Sequence, residues 1–337
     1  MIYIHVPYCR SFCTYCDFFS EIGCGGEAYA SELIAEMTSR RDEIIRTLDI
    51  NTLYIGGGTP SVLPLSCMGR IVEAAGEFGP FEEFTVEVNP DDINAGYAEG
   101  LLGLGVNRVS MGVQCLDDSV LRWMNRRHSA AAARNAFMQL REAGFRNISV
   151  DVIFGMSGDA AGYGTEVLNS TVESILEWRP EHISAYQLSI EEGSALGAMV
   201  AKGLYREASE EVCREQYYLI CDKLRNAGYH HYEISNWALP GHEARHNSAY
   251  WTRAPYVGLG PGAHSLRIET DRQVRSWNSS VLCGWSADSE TLSAEEIREE
   301  EIMLGLRTEQ GAVIDGKRQC IPESDWFIAD SIIAGMI

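Results

Sequence analysis

Short apolar, β-branched runs alternate with longer segments of helical period through the first 190 residues, and nothing else in the chain restricts the fold as strongly. The runs are IYIHV (2–6), TLYIG (52–56), FTVEVN (84–89), RVSMGV (108–113), ISVDVIF (148–154) and HISAYQL (182–188). Between them, EAYASELIAEMTSRRDEII, LSCMGRIVEAAGEF, GYAEGLLGLG, SAAAARNAFMQLREAG and EVLNSTVESILEW repeat apolar residues at three- and four-residue spacing, as helices packed on a sheet do. Strand and helix in alternation call for parallel strands joined by right-handed crossovers. Six such units predict an α/β fold, a partial (β/α)6 barrel of the TIM type, over residues 1–190.

In barrels of this kind chemistry gathers at the C-terminal ends of the strands. The polar residues of the chain fall there. Cys9, Cys13 and Cys16 follow the first strand, GGGTPS (56–61) follows the second, and Glu87 and Asn89 end the third. Gln114 ends the fourth, Asp151 lies within the fifth, and Gln187 and Ser189 close the sixth.

After residue 190 the pattern changes. A helical stretch (208–228) leads into YHHYEISNWALPGHEARHNSAYW (229–251), dense in aromatics and histidine, and then into the glycine-rich PYVGLGPGAHS (255–265). Residues 191–289 read as an extension of the barrel. LSAEEIREEEIMLGLR opens a small, mostly helical C-terminal domain over 290–337, expected to be incomplete because the chain stops at SIIAGMI without a cap.

The 337 residues carry 48 acidic against 27 basic side chains, a formal charge of −21. That balance opposes binding to nucleic acid, whose affinity comes from cations that neutralise phosphates. The N-terminus has no basic region followed by a long apolar stretch, and no run of eighteen apolar residues occurs, so no integral membrane segment and a cytoplasmic location are expected. In that compartment thiols stay reduced, and a tight cysteine cluster points to metal. The other seven cysteines are scattered and read as small buried hydrophobes.

YCRSFCTYCDF (8–18) sets three cysteines among Tyr8, Phe12, Tyr15 and Phe18. A structural zinc site wants four ligands, and no second pair stands at a suitable distance. Disulfides fail on compartment and on the odd number. Iron–sulfur clusters bind cysteine thiolates and are favoured by apolar walls. Three thiolates on a four-iron cluster would leave one iron open to an external molecule. Cys24, eight residues on and beyond Gly23, is a poorly spaced fourth ligand.

The CxxxCxxC spacing after a first strand resembles the radical S-adenosylmethionine superfamily. That resemblance implies a [4Fe-4S] cluster on Cys9, Cys13 and Cys16. It further implies S-adenosylmethionine chelated at the open iron and cleaved by one electron to methionine and a 5′-deoxyadenosyl radical. GGGTPS resembles the form that the superfamily's glycine motif takes in its coproporphyrinogen oxidase-like branch. YIHVPYC (3–9), VEVNP (86–90), GVQ (112–114), NRRH (125–128) and DVIFG (151–155) continue the match in order. By resemblance Tyr3, Tyr15, Gly57, Gly58, Thr59, Glu87, Gln114, Arg126 and Asp151 bind the cofactor. Their chemistry suits it: the carboxylates accept from hydroxyl or ammonium groups, and Arg126 can neutralise a carboxylate bidentately. GLGPGAHS (258–265) departs from the dinucleotide fingerprint and reads as a close-approach loop, with His264 a weaker candidate.

YEISNWA (232–238) and HNSAYW (246–251) resemble the heme chaperones of this branch more than its oxygen-independent oxidases. The oxidases carry a further cysteine where this chain has Phe18, and a longer N-terminal arm. The resemblance therefore implies heme as cargo, a heme-acceptor protein and an electron donor for the cluster. His246 is the candidate heme ligand, with Tyr250 and Trp251 as apolar contacts, and His230, His231 and His242 are alternatives. The rival reading is an enzyme that decarboxylates coproporphyrinogen III propionates in porphyrin biosynthesis.

Overall fold

A computed structural model describes residues 1–337. Six parallel strands form its centre: β1 (Ile2–Val6), β2 (Thr52–Gly57), β3 (Glu83–Val88), β4 (Arg108–Gln114), β5 (Ile148–Phe154) and β6 (His182–Gln187). Each pairs with the next in sequence order, the arrangement of a partial barrel. Beyond residue 190, β7 (His230–Glu233) and β8 (Asn236–Ala238) add an antiparallel hairpin beside β6, and β9 (Val257–Leu259) runs parallel to β1. The result is an open nine-stranded sheet.

Alternation along each strand divides the residues between two environments, because successive side chains leave opposite faces. Ile2, Ile4 and Val6, Leu53 and Ile55, Val86 and Val88, Val109 and Met111, and Val150 and Val152 are buried in the apolar core beneath the helices. The intervening positions hold Tyr54, Glu87, Arg108, Ser110, Asp151 and Ser184, and these line a central cavity. The barrel thus has a greasy outside and a polar lumen.

The connecting helices are α1 (Glu27–Ser39), α2 (Arg41–Thr47), α3 (Leu65–Ala75), α4 (Ala95–Gly103), α5 (Asp118–Trp123), α6 (Ala130–Ala143) and α7 (Thr165–Trp178). The stretch 27–45, expected as one helix, breaks at Arg40. Its guanidinium bonds Glu36 and Glu43 and donates to the Gly258 carbonyl at 2.7 Å, so Arg40 is tied to β9. After β6 come α8 (Ala195–Ala201), α9 (Glu210–Asn226) and the short α10 (Arg245–Trp251), which carries HNSAYW.

The C-terminal stretch holds α11 (Ala294–Gly305) and α12 (Ala329–Ala334), but also a hairpin of Ala312–Ile314 with Lys317–Gln319. Ile302, Ile314, Trp326 and Ile333 belong to the same apolar cluster as the barrel core, so this stretch shares the barrel's core. No helix is long and apolar enough to cross a membrane.

Phe137 on α6 is fully buried and packs on Trp178 of α7 at 5.5 Å between ring centroids. Phe137→Ala is expected to cost about 3–5 kcal/mol through the cavity it leaves. Chemical denaturation followed by tryptophan fluorescence measures the loss.

Candidate functional site

The lumen opens at the C-terminal ends of the strands into a cavity of about 700 Å³. Cys9, Cys13 and Cys16 sit together on its rim, all free thiols and all half-buried. Their loop is fastened at several points. Tyr8–Cys9 pairs with Glu21–Ile22, the Thr14 amide and hydroxyl donate to the carbonyls of Met124 and Trp123, and Asn125 donates to the Phe12 carbonyl at 2.7 Å. Cys24 is exposed and lies outside the cavity wall, which leaves three thiols.

GGGTPS lies directly against this loop. A Cβ on Gly58 would fall 2.8 Å from the Tyr8 carbonyl oxygen and 3.0 Å from the Tyr8 nitrogen, so no larger residue fits. Gly57 adopts φ +110°, where only glycine is unstrained, and its amide donates to Glu87 Oε2 at 3.2 Å. Thr59 Oγ1 shares a hydrogen bond with Cys9 Sγ (3.3 Å) and accepts one from Asn89 (3.4 Å).

Arg126 reaches in from the turn after α5. It donates to Cys13 Sγ at 3.3 Å and, through Nη2, to Asn89 Oδ1 and the Gly112 carbonyl, both at 2.6 Å. This sets a guanidinium directly against the cysteine loop. Gln114 stands at φ +67° where the β4–β5 register shifts, and this bulge turns its side chain to the cavity.

Deeper in the lumen, Tyr54 donates to Glu87 Oε1 at 2.7 Å, and Ser110 donates to Asp151 at 3.2 Å. Burial raises the Glu87 carboxyl to about 7, with the Asp151 charge adding to the effect; the Tyr54 hydroxyl, the Gly57 amide and Arg108 oppose it. Asp151 is raised by the same burial against bonds from Ser184 and Ser110 and the charge of Arg108.

Of the sequence candidates, Tyr15, Gly57, Gly58, Thr59, Glu87, Gln114, Arg126 and Asp151 line the cavity with the three cysteines. Tyr3 does not. It lies beside the cavity on the same face as Tyr54, bonded to His5 Nδ1 at 3.1 Å with its ring against Tyr54, which reaches the cavity itself. Tyr54, Arg108, Ser110 and Ser184 escaped the sequence reading, although each occupies the alternate position of a strand otherwise apolar. The structure places His246 on α10, beneath the cavity floor and 1% exposed. Its Nδ1 bonds Thr52 Oγ1 (2.8 Å), its Nε2 bonds the Tyr250 hydroxyl (3.0 Å), and its backbone amide donates to Glu83. Neither ring nitrogen is free, and burial lowers its pKa to about 3. The next residue, Asn247, does line the cavity. His230 is exposed and paired with Glu309, His231 lies under the C-terminal stretch, and His264 is exposed and outside the cavity wall.

Three thiols with no disulfide, a cationic neighbour, a loop whose glycines admit no side chain and lumen carboxylates make a donor set that fits a thiolate-held cluster with a polar organic ligand above the barrel. The comparisons with known proteins agree. The family described as Radical SAM superfamily matches residues 3–168. The structure of coproporphyrinogen III oxidase (HemN) from Escherichia coli superposes with a TM-score of 0.70 at 18% identity, covering 92% of this chain and 75% of that one. The heme chaperone HemW of Lactococcus lactis is 35% identical over 93% of this chain and 83% of its own length. That of Bacillus subtilis is 33% identical over 92% and 83%. The mitochondrial radical S-adenosyl methionine domain-containing protein 1 of Bos taurus is 31% identical over 96% and 76%. Fold, site and kinship define a radical SAM protein. Within that superfamily the chain belongs to the HemW family.

Two outcomes follow from the geometry. Gly58→Ala forces the glycine loop away from Tyr8, and bound iron after anaerobic reconstitution is expected to fall at least about tenfold while far-UV circular dichroism stays near wild type. The second concerns pH. The folded protein keeps the Glu87 proton that the unfolded chain releases from about 4.5, so ionising Glu87 destabilises the fold as pH rises from there to about 7. Glu87→Gln has no proton to lose. It is expected to gain on the wild type by on the order of 1–3 kcal/mol between about pH 5 and about pH 8, read from denaturant midpoints of the cluster-free proteins.

Proposed function

We propose that this protein is a heme chaperone of the radical SAM class, which binds heme and passes it to an acceptor protein. One observation carries the reading: the kinship with proteins named heme chaperone HemW extends over 93% of the chain, well past the barrel units that all radical SAM proteins share. On this reading Cys9, Cys13 and Cys16 hold a [4Fe-4S] cluster, and S-adenosylmethionine occupies the cavity above the lumen. When bound, the cluster supplies an open iron for the cofactor and a one-electron reductant.

The chain's own residues do the positioning. Arg126 braces the Cys13 sulfur and offers a cation to the cofactor's carboxylate. Gly57, Gly58 and Thr59 bring backbone close to the ligand, and Glu87, Gln114 and Asp151 accept from its hydroxyl and ammonium groups. Tyr15 shields the rim. Phe12 and Phe18, 49% and 74% exposed at the mouth, give an apolar lip to which a porphyrin face can attach.

Ligation of heme iron by His246 belongs to this proposal and carries a stated cost. Either the Thr52 or the Tyr250 bond must be given up, about 1–3 kcal/mol for a buried pair, which an iron–imidazole bond offsets. A cytoplasmic location, an electron donor for the cluster and a heme acceptor complete the reading.

Anaerobic reconstitution is expected to give about four irons per chain, lost when the three cysteines become alanine. Heme titration is expected to give a stoichiometric spectral shift, weakened about tenfold in His246→Ala. An unchanged shift moves the ligand elsewhere. Incubation with coproporphyrinogen III, reductant and S-adenosylmethionine is expected to yield no catalytic conversion; multiple turnovers to protoporphyrinogen would replace the chaperone reading with the oxidase one.

A further inference from the structure

Far from the cavity, on the outer side of the barrel, Cys221 of α9, His231 of β7 and Glu323 of the C-terminal stretch bring a sulfur, a ring nitrogen and a carboxylate oxygen within 4.8 Å of one another. None of the three lines the cofactor cavity. They come from three separate elements, and only the folded chain unites them.

The state of each group leaves donor capacity unused. Glu323 Oε1 takes both nearby hydrogen bonds, from His231 Nδ1 at 2.8 Å and from Arg225 at 2.8 Å, which leaves Oε2 to a further partner. His231 has a side chain only 6% exposed, and the nitrogen it turns to Glu323 is Nδ1, with the Ile234 backbone also close to the ring. The ring cannot turn away to water, because Trp237 stacks on it at 4.1 Å and Trp326 meets it edge-on at 4.5 Å. Cys221 is buried, and burial together with Glu323 pushes its thiol up to about 12, so without a cation the sulfur stays protonated.

We propose that Cys221, His231 and Glu323 form a binding site for a divalent zinc-class cation, distinct from the cluster, which fastens the C-terminal stretch to the barrel. A thiolate, an imidazole and a carboxylate are a borderline-soft set that suits Zn²⁺ and tells against Mg²⁺ or Ca²⁺. Tetrahedral bonds of about 2.0–2.3 Å put ligand atoms about 3.3–3.6 Å apart, so the present spacing closes on an ion through side-chain movements of about an ångström. Binding releases the Cys221 proton to solvent, and His231 carries its remaining proton on Nε2 so that Nδ1 takes the ion. The two negative ligands then balance the cation, and a water completes the coordination. Arg225 remains on Glu323 as an outer partner, a common support for a ligating carboxylate.

The test is zinc content by mass spectrometry after cluster-loaded protein is equilibrated with zinc sulfate and desalted. The expected result is about one zinc per chain beyond the cluster iron, with affinity at least about tenfold weaker in Cys221→Ser and His231→Gln. A Cys9→Ser, Cys13→Ser, Cys16→Ser variant separates this site from zinc captured by the cluster loop and is expected to keep its zinc. Glu323→Gln, at a partly exposed position, is expected to weaken binding with unchanged far-UV circular dichroism, which answers the objection that the buried variants merely unfold. Wild-type zinc affinity in Cys221→Ser and His231→Gln, zinc lost only in the triple variant, or no zinc taken up at about 10 μM would overturn the proposal. None of these outcomes depends on heme.

Discussion

A polar lumen inside a parallel barrel is the constraint on which the rest of this molecule rests. Buried charges and hydroxyls are tolerated only when each finds a partner. Most of the strands' polar side chains meet this with short local pairs: Tyr54 with Glu87, Ser110 with Asp151, and Ser149 with His182, which passes on to Tyr232 at 2.7 Å, while Arg108 Nε and Thr85 Oγ1 stay unpaired. The outward residues of the same strands build the apolar core that holds this arrangement in place. One set of six strands thus supplies both the stability and the ligand chemistry, on opposite faces.

The second dependence is close backbone packing between the cysteine loop and the glycine loop. Gly58 and Thr59 donate their amides to the carbonyls of Val6 and Tyr8, both at 2.8 Å, so the chain entering the cysteine loop is braced by the end of β2. Thr59 and Arg126 then touch Cys9 and Cys13 from either side. A flexible loop of thiols would lose considerable ordering entropy on binding a cluster, and these bonds remove much of that cost beforehand.

The barrel units were legible because period-two runs and period-3.6 runs are local signals, and residues 2 to 188 keep them apart. The three cysteines and the strand-end residues were legible for a similar reason, since spacing and strand position alone bring them together. The break at Arg40 was not, because it answers to the distant Gly258 carbonyl. Tyr3 and Tyr54 are paired in register and share one face of the sheet, so alternation cannot tell that Tyr54 reaches the cavity while Tyr3 lies beside it. The C-terminal hairpin did have a signal. Asp315 and Gly316, both at positive φ between AVI and KRQ, are the Asp-Gly pair of a tight hairpin turn.

His246 shows where local reading ends, and its position bears on how a carrier of this kind can work. HNSAYW suggests an open ligand, yet Glu83, 162 and 163 residues away in sequence, accepts the amides of Arg245 and His246 and draws α10 under the barrel. Thr52 and Tyr250 then close on the ring. Because His246 and Asn247 are neighbours on one short helix, the pull of Glu83 that buries the first also sets the second at the cavity surface. On the chaperone reading, heme iron at His246 and a lumen ligand at Asn247 draw on the same short helix.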